Sequence, residues 1–295
     1  MTRAELFAVL FLALNVAAIA QDSALLPKGQ PHPFNTEEAA AERLTFMRGR
    51  IEALRISPRD KPETIYTLKD SQPLRWSNPT TGVIDGGIFI WTDGERPVAV
   101  AKSFISERWN TWTACMQSVA DQPLVVTDAG QKVWEPQPDV KFVLVADEKL
   151  DAKLSEPQRL IRMRTVARNI QITSIYGEEE QTPWELRLLT TPVLRYSSPA
   201  RGIVDGAVFA FTQGGTNPEA VAFVEIRDQA GAKSCHVAVA RLSTYAHTAR
   251  LKDTTISDVP RLVRFATGET TRSFYAMRHR FDVYPFAKSS DVPAP

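Results

Sequence analysis

Asp85 and Asp205 stand 120 residues apart in matching surroundings, VIDGG and IVDGA, each carboxylate following two apolar residues and preceding glycine. Two carboxylates in near contact, under about 6 Å, cannot both ionise: one keeps its proton as acid while the other serves as base, the chemistry of a hydrolase with a symmetric pair. Cys115 and Cys235 are also 120 apart. In an oxidising compartment they would form a disulfide if their Cα atoms came within about 7 Å, and otherwise act as small buried apolar groups. Five of the six tryptophans fall in the first half; Trp76, Trp91, Trp109 and Trp112, exposed on one sheet face, would stack against sugar rings or grip a peptide. Core packing competes with that role, because Trp76 and Trp91 align with Tyr196 and Phe211 in the second half.

These residues lack the company that catalysis needs. In two-lobed aspartic proteases a Thr or Ser follows the aspartate, whereas here Gly86 and Gly206 do, and an Asp-Gly turn or bulge with glycine at positive φ accounts for the pattern. Cys235 and His236 are neighbours in a strand-like run, so their side chains point to opposite faces and cannot pair as thiolate and imidazolium. His32, His236, His247 and His279 fall into no metal-ligand spacing, and there is no phosphate loop, nucleophile elbow or dinucleotide fingerprint. Neither a metal nor a cofactor is expected. The 35 Lys+Arg against 34 Asp+Glu leave a net charge of +1, with no surplus for nucleic-acid backbones. A local excess lies between Arg241 and Arg280, eight basic residues against Asp253, Asp258 and Glu269. It reads as a solvated face, or as a patch that meets an anionic partner.

What must position these groups is a repeated chain. LRWSNPTTGVIDGGIFIWTDG from Leu74 aligns without a gap to LRYSSPARGIVDGAVFAFTQG from Leu194, with ten identities in 21 positions. Average residue usage would supply about one or two. Upstream, RLTFMR at Arg43 matches RLIRMR at Arg159. Leu44, Met47, Ile51 and Leu54, and likewise Leu160, Met163, Ala167 and Ile170, recur with helical period, which predicts one apolar stripe and an Arg-bearing outer face on each helix. Asn35 with Glu38, and Ser155 with Gln158, are their start signals. β-Branched runs follow, at 82–91, 98–105 and 111–119, then at 202–212, 220–227 and 234–242.

The expected fold class is therefore α+β: two similar modules, each one long helix packed on a curved antiparallel sheet, over 36–150 and 155–286. Tails at 21–35 and 287–295 flank them. Residues 2–20, TRAELFAVLFLALNVAAIA, read as a secretory signal peptide cleaved near Ala20. Its apolar run is about 15 residues, short of the roughly 20 a spanning helix needs, so the mature chain is expected to be secreted or periplasmic with no membrane span.

Residues 74–103 and 186–227, together with the RL-x-x-MR helices and the Trp134-Glu135-Pro136 turn, are similar to a family of uncharacterised secreted proteins of planctomycete-type bacteria. The resemblance implies export and assigns no catalytic residue. The function expected is that of an exported, non-catalytic binding or structural module with a protein or polysaccharide partner in the cell envelope. Two alternatives stand beside it, a hydrolase using Asp85 and Asp205 and a carbohydrate-binding module using the Trp-rich half.

Overall fold

A computed structural model describes residues 36–70, 74–145, 150, 153–176, 183–214, 216–262, 269–270 and 272–282. The expected signal peptide, both tails and Asn35 lie outside the described residues. Helix α1 (Glu37–Glu52) is followed by β1 (Leu54–Pro58), β2 (Thr67–Leu68), β3 (Arg75–Asn78), β4 (Val83–Asp93), β5 (Arg96–Ser106), β6 (Thr111–Ser118), β7 (Leu124–Asp128), β8 (Gln131–Trp134) and β9 (Val143–Leu144). Helix α2 (Glu156–Arg168) is followed by β10 (Ile170–Ile175), β11 (Trp184–Glu185), β12 (Arg187–Leu188), β13 (Leu194–Ser198), β14 (Ile203–Gln213), β15 (Asn217–Gln229) and β16 (Ala232–Arg241). The chain ends in β17 (Ala246–Leu251), β18 (Thr254–Val259), β19 (Glu269–Thr270) and β20 (Phe274–Arg280).

The α+β expectation, one long helix across each sheet, is corrected. Among the described residues twenty strands in four sheets stand against two α-helices of 16 and 13 residues, so the protein is mostly β. Short runs such as LRISP, LVVTD, IQITSI and AHTARL form strands of their own, paired as β1 with β7 and β10 with β17. The apolar period also overruns the helices: Leu54 already belongs to β1 and Ile170 to β10. Thr36 caps α1, its hydroxyl accepting from the Ala39 amide at 3.2 Å, while the Ser155 amide donates to Gln158 Oε1 at 2.8 Å as anticipated.

The two large sheets follow the orders β19-β20-β6-β5-β4-β2 and β12-β14-β15-β16-β9. Their hairpins share a register. Val83 pairs with Ser106 and Asp85 with Ile105, skipping Ile84, while Ile203 pairs with Arg227 and Asp205 with Ile226, skipping Val204. Every residue of β5 is buried, because the sheet is covered on both faces. On one face Phe89, Ala99 and Ala101 share a core with Met47 and Ile51 of α1 and with Leu54 and Val126 of the small sheet. On the other, Ile88 and Val100 pack with Val208, Val221 and Phe223 of the second large sheet. Double coverage explains why these strands read as continuous apolar runs rather than as alternating ones.

Each half also gives a strand to the other. β9, at the end of the first half, pairs with β16, and β20, at the end of the second, pairs with β6. No helix among the described residues is long and apolar enough to cross a membrane.

Candidate functional site

The structure uses Asp85 and Asp205 as clamps. Arg43 Nε of α1 donates to Asp85 Oδ2 at 3.1 Å, and Arg75 of β3 donates to the same oxygen at 2.5 Å and to the Ala40 carbonyl at 2.9 Å. In the second half Arg159 of α2 donates to Asp205 Oδ2 at 2.8 Å, while Arg195 of β13 donates to Oδ1 at 3.0 Å and Oδ2 at 2.6 Å. Each carboxylate thus accepts from two arginines and ties helix to bulged strand, and its arginine partners come from its own half. Arg43, expected on an outer face, is 3 % exposed.

The glycines after these aspartates serve a different purpose from the one anticipated. Neither Gly86 nor Gly206 has positive φ. A Cβ on Gly86 would lie 2.5 Å from the Trp76 ring, and one on Gly206 would lie 2.5 Å from the Tyr196 ring. The missing side chain makes room for an aromatic ring laid on the strand. Trp91 and Trp112 are likewise packing groups, both fully buried, with Trp112 Nε1 donating to Ser103 Oγ at 2.8 Å. Trp109 alone of the four is exposed, at 46 %.

Cys115 and Cys235 remain two buried thiols. Pairing of Ala99 with Ser118 and of Ala220 with Arg241 sets the aligned positions of β6 and β16 123 residues apart (241 − 118), so Cys235 aligns with Trp112 rather than with Cys115. Cys115 packs with Phe274 and Ala276, whereas Cys235 packs in the core of the second half. Burial pushes the Cys115 thiol up to about 11, which keeps it protonated.

Sequence reasoning passed over the polar seam between the large sheets. Lys102 of β5 donates to Asn217 Oδ1 at 3.3 Å and lies 3.7 Å from Glu219 Oε2. Arg96 lies 3.7 Å from Glu225 Oε1, which also accepts from Tyr196 at 2.8 Å. Ser243 Oγ lies 2.8 Å from His247 Nε2. Burial, then the positive Arg241 and Lys102, push the imidazole down to about 3, so it is neutral. Burial likewise raises the Glu219 carboxyl despite Lys102. All of these side chains except Asn217 are at most 6 % exposed. They hold sheets together.

An open cleft of about 400 Å³ lies at the end of β6 and β20, lined by Arg108, Trp109, Asn110, Thr111, Arg278 and Arg280. The first four belong to the four-residue β5–β6 turn and the strand leaving it; the two arginines arrive on the donated strand. Guanidinium carbons of Arg108 and Arg278 lie 5.6 and 6.0 Å from the centre of the Trp109 ring. Asn110 adopts φ +50° and is fastened to the donated strand: its Nδ2 donates to the Phe281 carbonyl at 2.7 Å and its carbonyl accepts from the Phe281 amide at 2.9 Å. Gly82, at φ +74°, lets the turn pack close, since a Cβ there would collide with that of Arg108. Burial lowers the Arg278 pKa from the ordinary guanidinium value. No carboxylate lines the cleft among the described residues.

Such a site can hold an anion against an aromatic ring. Among the described residues the second half has no counterpart. Its β15–β16 hairpin closes through the two-residue turn Ala230-Gly231, and the strand position aligned with Arg278 is Leu144, since Thr113 pairs with Arg278 where the aligned His236 pairs with Leu144. Of the cleft residues, sequence reasoning had reached Trp109 and the basic run holding Arg278 and Arg280, but not Arg108, Asn110 or Thr111. The signal that marks them is a polar ERWN turn, tryptophan included, at a place where the other half has a tight turn. No family model, curated protein or solved structure matches this chain. Among the described residues no group of three or more His, Cys, Asp or Glu is placed to hold a metal.

Proposed function

We propose that the protein is an exported, non-catalytic binding module of the cell envelope, that its halves descend from one copied unit, and that it holds an anionic partner in the cleft of Arg108, Trp109, Arg278 and Arg280. The observation that carries this reading is the cleft itself: three arginines and a half-exposed indole around a hollow. Export is supported by the apolar run and small-x-small ending of residues 2–20. Common descent is supported by the shared Arg–Asp–Arg clamps and bulged hairpins. The clamps recur in both halves, as scaffold should; the cleft occurs in one, where a specialised role would be added.

The test is expression of the full chain in a bacterial host, N-terminal sequencing of the extracytoplasmic product, and co-sedimentation with isolated envelope material. A product beginning near Gln21 that sediments in low salt and is released by high salt, with sedimentation weakened by Arg280→Gln, is expected. A product retained in the cytoplasm with Met1 intact would remove export. Sedimentation indifferent to Arg280→Gln would remove the cleft.

A further inference from the structure

We infer that the cleft recognises an acidic sugar unit of a polysaccharide, its ring face against Trp109 and its carboxylate or sulfate among the guanidiniums of Arg108, Arg278 and Arg280. This rests on the binding role proposed above and names the ligand class. Three observations point to it together. Positive charge lines the hollow and calls for an anion. The indole, 46 % exposed beside those charges, offers the flat apolar surface on which a pyranose ring stacks. Among the residues that line it, Asn110 Oδ1 and Thr111 Oγ1 are buried and have no hydrogen-bond partner in the protein.

The third observation separates a sugar from a bare anion. Asn110 donates through Nδ2 to Phe281, which fixes its amide so that Oδ1 is the remaining group, an acceptor. Phosphate or sulfate alone brings little to satisfy an acceptor, whereas a sugar brings hydroxyl donors next to its charge. Thr111, only 4 % exposed, adds a hydroxyl able to donate or accept. A polynucleotide also has charge and stacking surface, but the chain's net charge of +1 offers no extended track for its backbone.

The test titrates the mature protein with a polygalacturonate oligosaccharide, a heparin oligosaccharide, neutral dextran, a single-stranded oligonucleotide and inorganic phosphate, following tryptophan fluorescence and calorimetry. At least one acidic oligosaccharide should bind, neutral dextran should not, and Trp109→Ala and Arg280→Gln should each weaken binding by about tenfold. Both positions are exposed, and unchanged thermal melts of the variants show that loss is local. Equal binding of dextran, binding of the oligonucleotide in preference to both acidic sugars, or competition by phosphate at the same concentration as the sugar overturns the inference. So does binding that Trp109→Ala leaves unchanged. If both acidic sugars fail while envelope sedimentation still depends on Arg280, the sugar assignment falls and the cleft stands. If that dependence is missing too, both fall.

Discussion

Lys102 of β5 and Glu219 of β15 face each other in the seam between the two large sheets, ammonium nitrogen 3.7 Å from carboxylate oxygen, their side chains 4 % and 1 % exposed. Arg96 and Glu225 repeat the relationship at the other end of the same two strands. With Ala99 aligned to Ala220, the counterparts of Lys102 and Arg96 in the second half are Phe223 and Asn217, and those of Glu219 and Glu225 in the first are Val98 and Phe104. In these two pairs the cation lies on the first sheet and the anion on the second, while Glu225 also accepts from Arg227 of its own strand at 2.7 Å. Two first halves packed in the same way would set Lys102 against Val98 with no carboxylate in place of Glu219, whereas Arg96 would keep Asp121 of its own half at 3.1 Å, so it is Lys102 that favours unlike halves.

Breaking one side of this pair should cost more than removing both. Lys102→Met leaves Glu219 buried without its cation and is expected to lower stability by about 3–5 kcal/mol in urea unfolding. The double variant Lys102→Met, Glu219→Leu should recover most of that loss. A double variant as unstable as the single one would mean that the charges contribute by a route other than mutual neutralisation.

The Arg43–Asp85–Arg75 clamp predicts that Asp85 is a stability residue. Asp85→Asn would leave Arg43 buried beside a neutral amide, at a cost of about 3–5 kcal/mol. Arg75→Gln should cost less, because the Arg75 side chain is 31 % exposed and can rehydrate. Gly86→Ala drives a methyl into the Trp76 ring and should cost about 1–3 kcal/mol by overpacking. A fully stable Asp85→Asn protein would contradict the clamp and return the aspartate to consideration as a chemical group.

The long hairpins were legible in the chain, with ends within three residues of those observed, because eleven-residue apolar strands such as β4 and β14 outweigh local ambiguity. The short strands were not. LRISP and IQITSI follow a helix directly, and only their pairing with β7 and β17, far along the chain, decides that they are extended. Arg43 looked like an outward residue since nothing near it announces Asp85, 42 positions later, as its partner. The 120-residue spacing of the cysteines misled because one residue is inserted before β15 and two more in the β15–β16 hairpin, which breaks the equivalence that spacing alone implied. The cleft was half visible: charge and aromatic could be named, but strand exchange is what brings Arg278 to Trp109.

His247 ties stability to pH. Its imidazole is held down to about 3 from the ordinary 6.5 by burial and then by Arg241 and Lys102, while Ser243 occupies Nε2. Below 6.5 the unfolded chain takes up a proton that the folded protein refuses, so stability should fall as pH drops from 6.5 toward 3. The slope from this one group approaches about 1.4 kcal/mol per pH unit. Urea unfolding is followed between pH 6.5 and 5, where burial also lowers the His236 imidazole and raises the Glu219 carboxyl, so the His247 share is the part of the slope that its substitution removes. His247→Gln should flatten the curve there, and an unchanged slope would show that the imidazole is already protonated in the folded protein.

The exchanged strand makes a prediction about distance along the chain. β20 carries Phe274 and Tyr275 at 0 % and 7 % exposure, and Tyr275 stacks on Trp134 with ring centres 5.8 Å apart, inside the core beneath α1. Phe274→Ala should lower stability by about 3–5 kcal/mol. Hydrogen exchange should report the loss in the first half: the β6 amides that bond to β20 should lose protection, and those of β17 and β18 should keep theirs. Because Asn110 is tied to Phe281, the residue that follows β20, loosening β20 also unseats the turn that carries Trp109. Exchange confined to the second half would mean that β20 is held by its own half and only rests on β6.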